Sequence, residues 1–215
     1  MSKISLKHSG GNVVSLNSPT SAPTSSDVAF KLPNADGTNG QVLKTDGSGN
    51  LSFGADTGGK ILQVVSTAKT DTTSTTSLIT FVDISGMSVS ITPSSSSNKI
   101  LVIVDMRLGV NENRNVAYRI MRGSTAIYIG DAAGSRTRGT GSIRLMSDAK
   151  YDMQSETAVF LDSPSTTSAT TYKVQWCHTF GGSSDGCYLN RPHTESDNDD
   201  RVRGASSITV QEVAA

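Results

Sequence analysis

Gly182, Ser184 and Gly186 have the G-x-S-x-G spacing that can place a nucleophilic serine on a sharp turn between a strand and a helix. The flanking residues point elsewhere. A strand-like run ends at Phe180 and another begins at Tyr188, so the segment is expected to be a turn between two strands with no activated serine. The three histidines, His8, His178 and His193, are far apart, and none sits in an H-x-x-x-H or C-x-x-C spacing that would prepare a zinc site. Asp197-Asn198-Asp199-Asp200 offers alternating oxygens, but Val202 and Ile208 stand where a calcium loop needs glycine and a bidentate glutamate, so a solvated acidic loop is expected. Asp131, Asp148, Asp152, Glu156 and Asp162 could supply a glycosidase with carboxylates, and nothing in their spacing selects a pair. No phosphate loop or dinucleotide fingerprint is present. These residues predict a protein that is not an enzyme and carries no cofactor or metal.

Two polar segments remain as contact surfaces. Gly134 to Gly141 sets Arg136 and Arg138 among glycines, and Arg191 to Arg203 is a long polar insertion between two expected strands. Loops of this kind on a rigid scaffold are where binding residues collect. Tyr188, Arg191 and His193 have planar side chains that can stack on sugars or pair with phosphates. The plainer reading is that these are solvated loops or salt-bridge partners between subunits.

The elements that must carry these loops are strands. Only 35% of the residues are hydrophobic and 5% aromatic, with abundant Ser, Thr and Gly, a composition suited to short strands and polar turns. Apolar runs at Ile61 to Val65, Leu78 to Ile84, Met87 to Ile91, Ile100 to Leu108, Val116 to Met121, Ala126 to Gly130, Ser142 to Met146, Thr157 to Leu161, Tyr172 to Phe180, Tyr188 to Asn190 and Ser206 to Val213 are separated by turn residues. The pattern predicts an all-β fold, a sandwich or jelly roll, whose last strand lies deep in a sheet. Ile100 to Leu108 is apolar on one face throughout and, at Leu101 and Ile103, on the other as well. Such a strand must be covered on both faces, and this predicts an oligomer.

Residues 1 to 58 differ from the remainder. Apolar residues are sparse, and Pro19, Pro23 and Pro33 interrupt weak alternation at Ile4, Leu6, Val14 and Leu16. The stretch from Gly40 to Gly54 reads as a hairpin over residues 41–53, with Asp46-Gly47-Ser48-Gly49-Asn50 as its turn. A segment this poor in apolar residues cannot close a core alone, so it is expected to order against copies of itself or a partner subunit. Residues 59–215 form the head domain. Formal charge is zero, so neither nucleic acid nor an anionic membrane is an expected partner. No apolar run is long enough to span a bilayer or serve as a signal peptide, and a soluble protein made in a cytoplasm is expected. Cys177 and Cys187 could face each other across a hairpin or remain reduced and partly buried.

The run Leu32 to Phe53, together with Ile4 to His8, Phe30 to Pro33 and Ser207 to Val213, resembles segments of tail fibres and related virion proteins of tailed phages. The resemblance implies a virion structural protein whose N-terminal stem is extended, trimeric and shaft-like and anchors it to other virion proteins through residues 1–58. Joined to the strand pattern and the polar loops, it gives as the leading expectation a homotrimeric tail-fibre-type appendage whose jelly-roll-like head meets a host-surface glycan, with three copies multiplying a weak contact. A capsid decoration or head-to-tail neck protein that never meets the host is the alternative. The shortness of the stem and the want of a marked aromatic groove favour it, while the long polar loops favour adhesion.

Overall fold

Successive side chains of a strand point to opposite faces of its sheet, so the clear alternation after Lys99 is suited to lie between two layers. The computed structural model describes residues 3–7, 9–11, 13–17, 21, 31–56, 60–111, 114–144, 149–180 and 186–215. The chain divides into two units, residues 1–58 and 59–215.

In the first unit, β1 (Lys3–Lys7) pairs antiparallel with β2 (Val13–Asn17), and β3 (Gln41–Thr45) with β4 (Leu51–Ala55). The turn between β3 and β4 is built by its aspartate. Asp46 accepts hydrogen bonds from the Ser48 amide at 2.8 Å and the Asn50 side chain at 2.6 Å, while Gly47 and Gly49 take positive φ. Lys31 adds a main-chain rung, its amide donating to Gly49 O and its carbonyl accepting from the Leu51 amide, each at 2.8 Å. Leu32, Leu43 and Phe53 remain exposed, because two strands and an arm cannot enclose them. Pro19, Pro23, Phe30 and His8 lie outside the described residues.

The second unit contains β5 (Ile61–Lys69), β6 (Thr73–Thr75), β7 (Val82–Ile91), β8 (Lys99–Val110), β9 (Asn115–Arg122), β10 (Thr125–Ile127), β11 (Gly141–Arg144), β12 (Gln154–Asp162), β13 (Thr170–Phe180), β14 (Cys187–Leu189) and β15 (Ser206–Val213). All neighbouring strands pair antiparallel. The described residues hold no α-helix, only a 3-10 turn at Ala149–Tyr151. Along one edge of β8, β15 and then β14 follow end to end, while β12 takes the other edge. β5 and β6 likewise follow end to end beyond β15 and β14. The first sheet is thus in effect four strands wide. The second sheet runs β7, β13, β9, and then β10 and β11 end to end along the far edge of β9.

Most apolar runs become the strands their patterns predict, with local departures. Leu78 makes only an isolated bridge to His178, and β7 begins at Val82, since Ile79 has left-handed φ of 61°. The same strand continues through Gly86, whose φ of +81° permits a bulge, so two expected runs are one strand. β10 stops at Ile127 because Tyr128 turns to φ 51°. β11 stops at Arg144, and residues 145–148, which include Asp148, lie outside the description. β13 and β14 belong to different sheets, so Cys177 and Cys187 do not oppose each other in a hairpin; both are free and buried.

Between the sheets, Ile100, Val102, Val104, Met106 and Leu108 of β8 face Tyr172, Val174 and Trp176 of β13 and Val116, Tyr118 and Ile120 of β9, all buried. A fully buried side chain of this size contributes about 1.5–3 kcal/mol. Two carboxylates close one end of this layer. Asp162 accepts Arg122 Nη1 at 2.8 Å and the Tyr172 hydroxyl at 2.7 Å, tying β12 of one sheet to β9 and β13 of the other. Burial and this carboxylate both push the Tyr172 phenol upward, so it stays a donor. Glu212 of β15 is fully buried and accepts Gln63 Nε2 at 2.6 Å, the Ser94 amide at 2.6 Å, Ser94 Oγ at 2.8 Å and Asn98 Nδ2 at 2.6 Å.

Burial alone would raise the Glu212 carboxyl, but the hydrogen bonds from Asn98, Gln63 and Ser94 outweigh it and hold the pKa down at about 2. A depressed folded-state pKa adds stability that is present above the ordinary carboxylate value of about 4.3 and is lost as pH falls toward 2. The expected contribution is on the order of 3 kcal/mol. Urea unfolding of Glu212→Gln should therefore show a shallower loss of stability than the parent between about pH 5 and 2. Equal slopes would show that Glu212 is not held ionised by the fold.

Candidate interaction site

Both polar segments picked out from sequence are excursions from strands that are otherwise continuous. Residues 128–140 leave the line of β10 and β11, and residues 190–205 leave that of β14 and β15. The first closes with the Gly130 amide on Gly139 O at 3.1 Å and the Thr140 amide on Tyr118 O at 2.8 Å.

The second closes on Asn190. This residue is fully buried and holds φ at 63°, a conformation Asn tolerates better than most side chains. Its amide donates to Arg107 O at 2.8 Å, its carbonyl accepts from the Gly204 amide at 3.0 Å, and its Oδ1 accepts from Ser206 Oγ at 2.6 Å. Its Nδ2 donates to Lys69 O at 2.8 Å and Asp71 O at 2.9 Å, the carbonyls of the last residue of β5 and of a residue within the link to β6. One side chain therefore stitches two adjacent strand interruptions. Gly109 of β8 completes the base, since a Cβ there would collide with Arg191 O.

Of the five residues singled out from sequence, Tyr188, Arg191 and His193 come together. The Arg191 guanidinium lies 4.2 Å over the Tyr188 ring, and His193 meets that ring edge-on at 5.2 Å. Arg191 also donates to the Pro192 and His193 carbonyls and pairs with Glu195 at 3.6 Å, and Glu195 in turn pairs with Arg203. Arg136 and Arg138 lie on the other excursion. Arg138 Nε donates to Gly130 O at 2.7 Å, so it braces its own loop, while Arg136 is exposed. Sequence reasoning missed a second stack, Arg201 at 3.9 Å over Tyr151, and the bond from the Thr194 amide to Lys150 O that fastens the excursion to the 3-10 turn. Neither pair is close in sequence, so no local pattern marks it.

The other chemistry considered at the outset is dispersed. His178 is buried in β13, its Nε2 donating to Thr76 O at 2.9 Å, and its Nδ1 meets no hydrogen-bond partner among the described residues. Burial pushes the Cys177 thiol up to about 11 and the Cys187 thiol higher still, so neither is prepared as a nucleophile. Glu156 accepts the Tyr118 hydroxyl at 3.3 Å; burial and then this carboxylate push that phenol up to about 12. The serine of the Gly182 to Gly186 spacing lies outside the described residues. Among the described residues no three His, Cys, Asp or Glu side chains gather to hold a metal ion, and no helix is long and apolar enough to cross a membrane.

No protein-family model matches this sequence, and no curated protein matches it. Among solved structures, the chain is similar to that of infectious bursal disease virus, Gt strain, at 12% identity and TM-score 0.37, over 91% of this chain and 47% of the other. The Gx strain of the same virus gives 12% identity and TM-score 0.34 over the same shares. The tripod from the baseplate of bacteriophage Tuc2009 gives 11% and 0.24, over 91% of this chain and 84% of the other. The chain spans about half the length of the two virus chains. These likenesses assign no family.

Asn190→Ala removes three side-chain hydrogen bonds, leaves the Lys69 and Asp71 carbonyls and Ser206 Oγ without that partner, and strains the left-handed backbone. We expect a loss of about 2–4 kcal/mol in urea unfolding. Asn190→Gly relieves the backbone and should recover only part of the loss. Full recovery by glycine would show that the side-chain bonds contribute nothing.

Proposed function

We propose that this protein is a non-enzymatic virion structural protein that works in several copies, with residues 1–58 as an anchoring stem and residues 59–215 as the displayed head. The observation that carries the reading is an apolar outer sheet face on a head with no assembled catalytic constellation among its described residues. Leu62, Val64, Val159 and Leu161 are each about half exposed there, which suits a protein completed by its neighbours. The strand order β5–β15–β8–β12 against β7–β13–β9–β10 supports a jelly roll, a fold of two such four-stranded sheets. The exposed Leu32, Leu43 and Phe53 support a stem that packs on copies or on other virion proteins. The number three comes from the resemblance of Leu32 to Phe53 to phage tail fibres.

One observation favours a decoration or neck protein over a host-binding fibre. Arg191 already occupies a face of the Tyr188 ring, and its charge is engaged by Glu195, so this cluster resembles an internal brace more than an open sugar platform. On the adhesive reading, contact with a host-surface glycan falls to the exposed Arg136 and its loop.

Antibodies raised against residues 59–215 should label intact particles of the virus that encodes the chain, seen by electron microscopy. Finding the chain only in the soluble fraction of infected cells would contradict a virion role, and release of reducing sugars from host polysaccharide would contradict the non-enzymatic part.

A further inference from the structure

Asn39 and Gly40, both exposed, make the one Asn-Gly step in the chain. The Gln41 amide donates to Thr38 O at 3.1 Å and Gly40 holds φ at 85°, so residues 38–41 form a type II turn with Asn39 and Gly40 at its centre. The Thr38 amide donates in return to Gln41 Oε1 at 2.8 Å. Both bonds are made by the flanking residues. Among the described residues nothing hydrogen-bonds the Asn39 carboxamide or the Gly40 amide, and a Cβ placed on Gly40 would meet open space. Other asparagines differ. Asn98 and Asn190 are buried with their carboxamides bonded, and Asn50 donates its side chain to Asp46 at 2.6 Å. The Asp199 amide is held by Asn198 Oδ1 at 3.1 Å, and exposed Asn34 is followed by Ala35, whose Cβ obstructs approach to its amide.

We propose that Asn39 is a site of spontaneous covalent modification, converted to aspartate and isoaspartate through a cyclic imide. The Gly40 main-chain nitrogen, having given its proton to solvent, attacks Asn39 Cγ. The N–Cγ bond forms, the Cγ–Nδ2 bond breaks, and Nδ2 takes a proton from solvent and leaves as ammonia. Water then opens the ring. Addition at Cγ gives ordinary aspartate, and addition at the main-chain carbonyl gives isoaspartate, whose main chain runs through Cβ and Cγ and is one atom longer. The sum is one water taken up and one ammonia released. Glycine favours the step because it has no Cβ to block the attack and its backbone turns freely as the ring closes. Either product adds a negative charge to a chain of zero formal charge. In isoaspartate the added atom lies inside the turn that Thr38 and Gln41 close, so that turn must rearrange. The modification goes beyond the virion reading and stands without it.

The full-length chain, held folded at body temperature and at neutral and mildly alkaline pH, tests this by peptide mapping in the mass spectrometer, with an isoaspartyl methyltransferase to label isoaspartate. Asn39 should be lost several-fold faster than Asn34 or Asn198, and faster as pH rises, because the attacking amide must first lose its proton. Isoelectric focusing should show acidic species accumulating in the parent and not in Asn39→Gln. Gly40→Ala puts a Cβ on the attacking residue and should slow the loss several-fold. A synthetic peptide of residues 38–44 gives the rate for the same sequence without the fold. A native chain that keeps Asn39 while the peptide loses it overturns the proposal, the turn then being protective. Loss spread evenly over Asn34, Asn39 and Asn198, or a rate unchanged in Gly40→Ala, overturns it as well.

Discussion

β8 is apolar on both faces at Leu101 to Val104, and the rest of the head is arranged around that constraint. Its inner side chains are enclosed by β13 and β9, and its two edges by β15 and β12. Hydrophobic burial does not depend on direction, so the same strand seeks cover outside as well as inside. Within one chain the outer side of Leu101 and Ile103 is only partly covered. That partly covered face is the feature on which the proposed multi-copy reading rests.

Polar groups then decide which apolar packing is adopted. Glu212 fastens the last strand to the turn after β7, Asp162 ties the two sheets together, and Asn190 closes two strand breaks at once. Each is buried and hydrogen-bonded, so shifting the register would strand a carboxylate or amide without partners. The excursions at 128–140 and 190–205 depart from sheets that these ties hold in place, and the two clusters of planar and cationic side chains on the longer excursion hold it against the head.

Much of this was legible in the sequence. Apolar runs bounded by turn residues located β5, β8, β9, β12, β13 and β15, and the glycines around Asp46 located the β3–β4 turn, because both signals are local. What escaped was non-local or depended on one residue's backbone. The joining of the Leu78 and Met87 runs into β7 turned on positive φ at Ile79 and Gly86. The end-to-end succession of β14 and β15 depends on a shared partner, β8, about eighty to a hundred residues earlier in the chain. Tyr188, Arg191 and His193 lie within six positions of one another and meet in space, whereas that Arg191 would spend its charge on Glu195 required the loop's closure. The stack of Arg201 on Tyr151 joins residues fifty positions apart, and no spacing rule reaches that far.

The most direct test of whether the outer face is covered in the working protein is hydroxyl-radical footprinting of the native assembly, read by mass spectrometry at Val64, Val159 and Leu161. A covered face predicts that these side chains are oxidised several-fold more slowly than Tyr128, which is similarly exposed in the single chain, once intrinsic reactivities are taken into account. Oxidation at the rates set by the single chain's exposure would contradict it, and the head would then be complete as one copy.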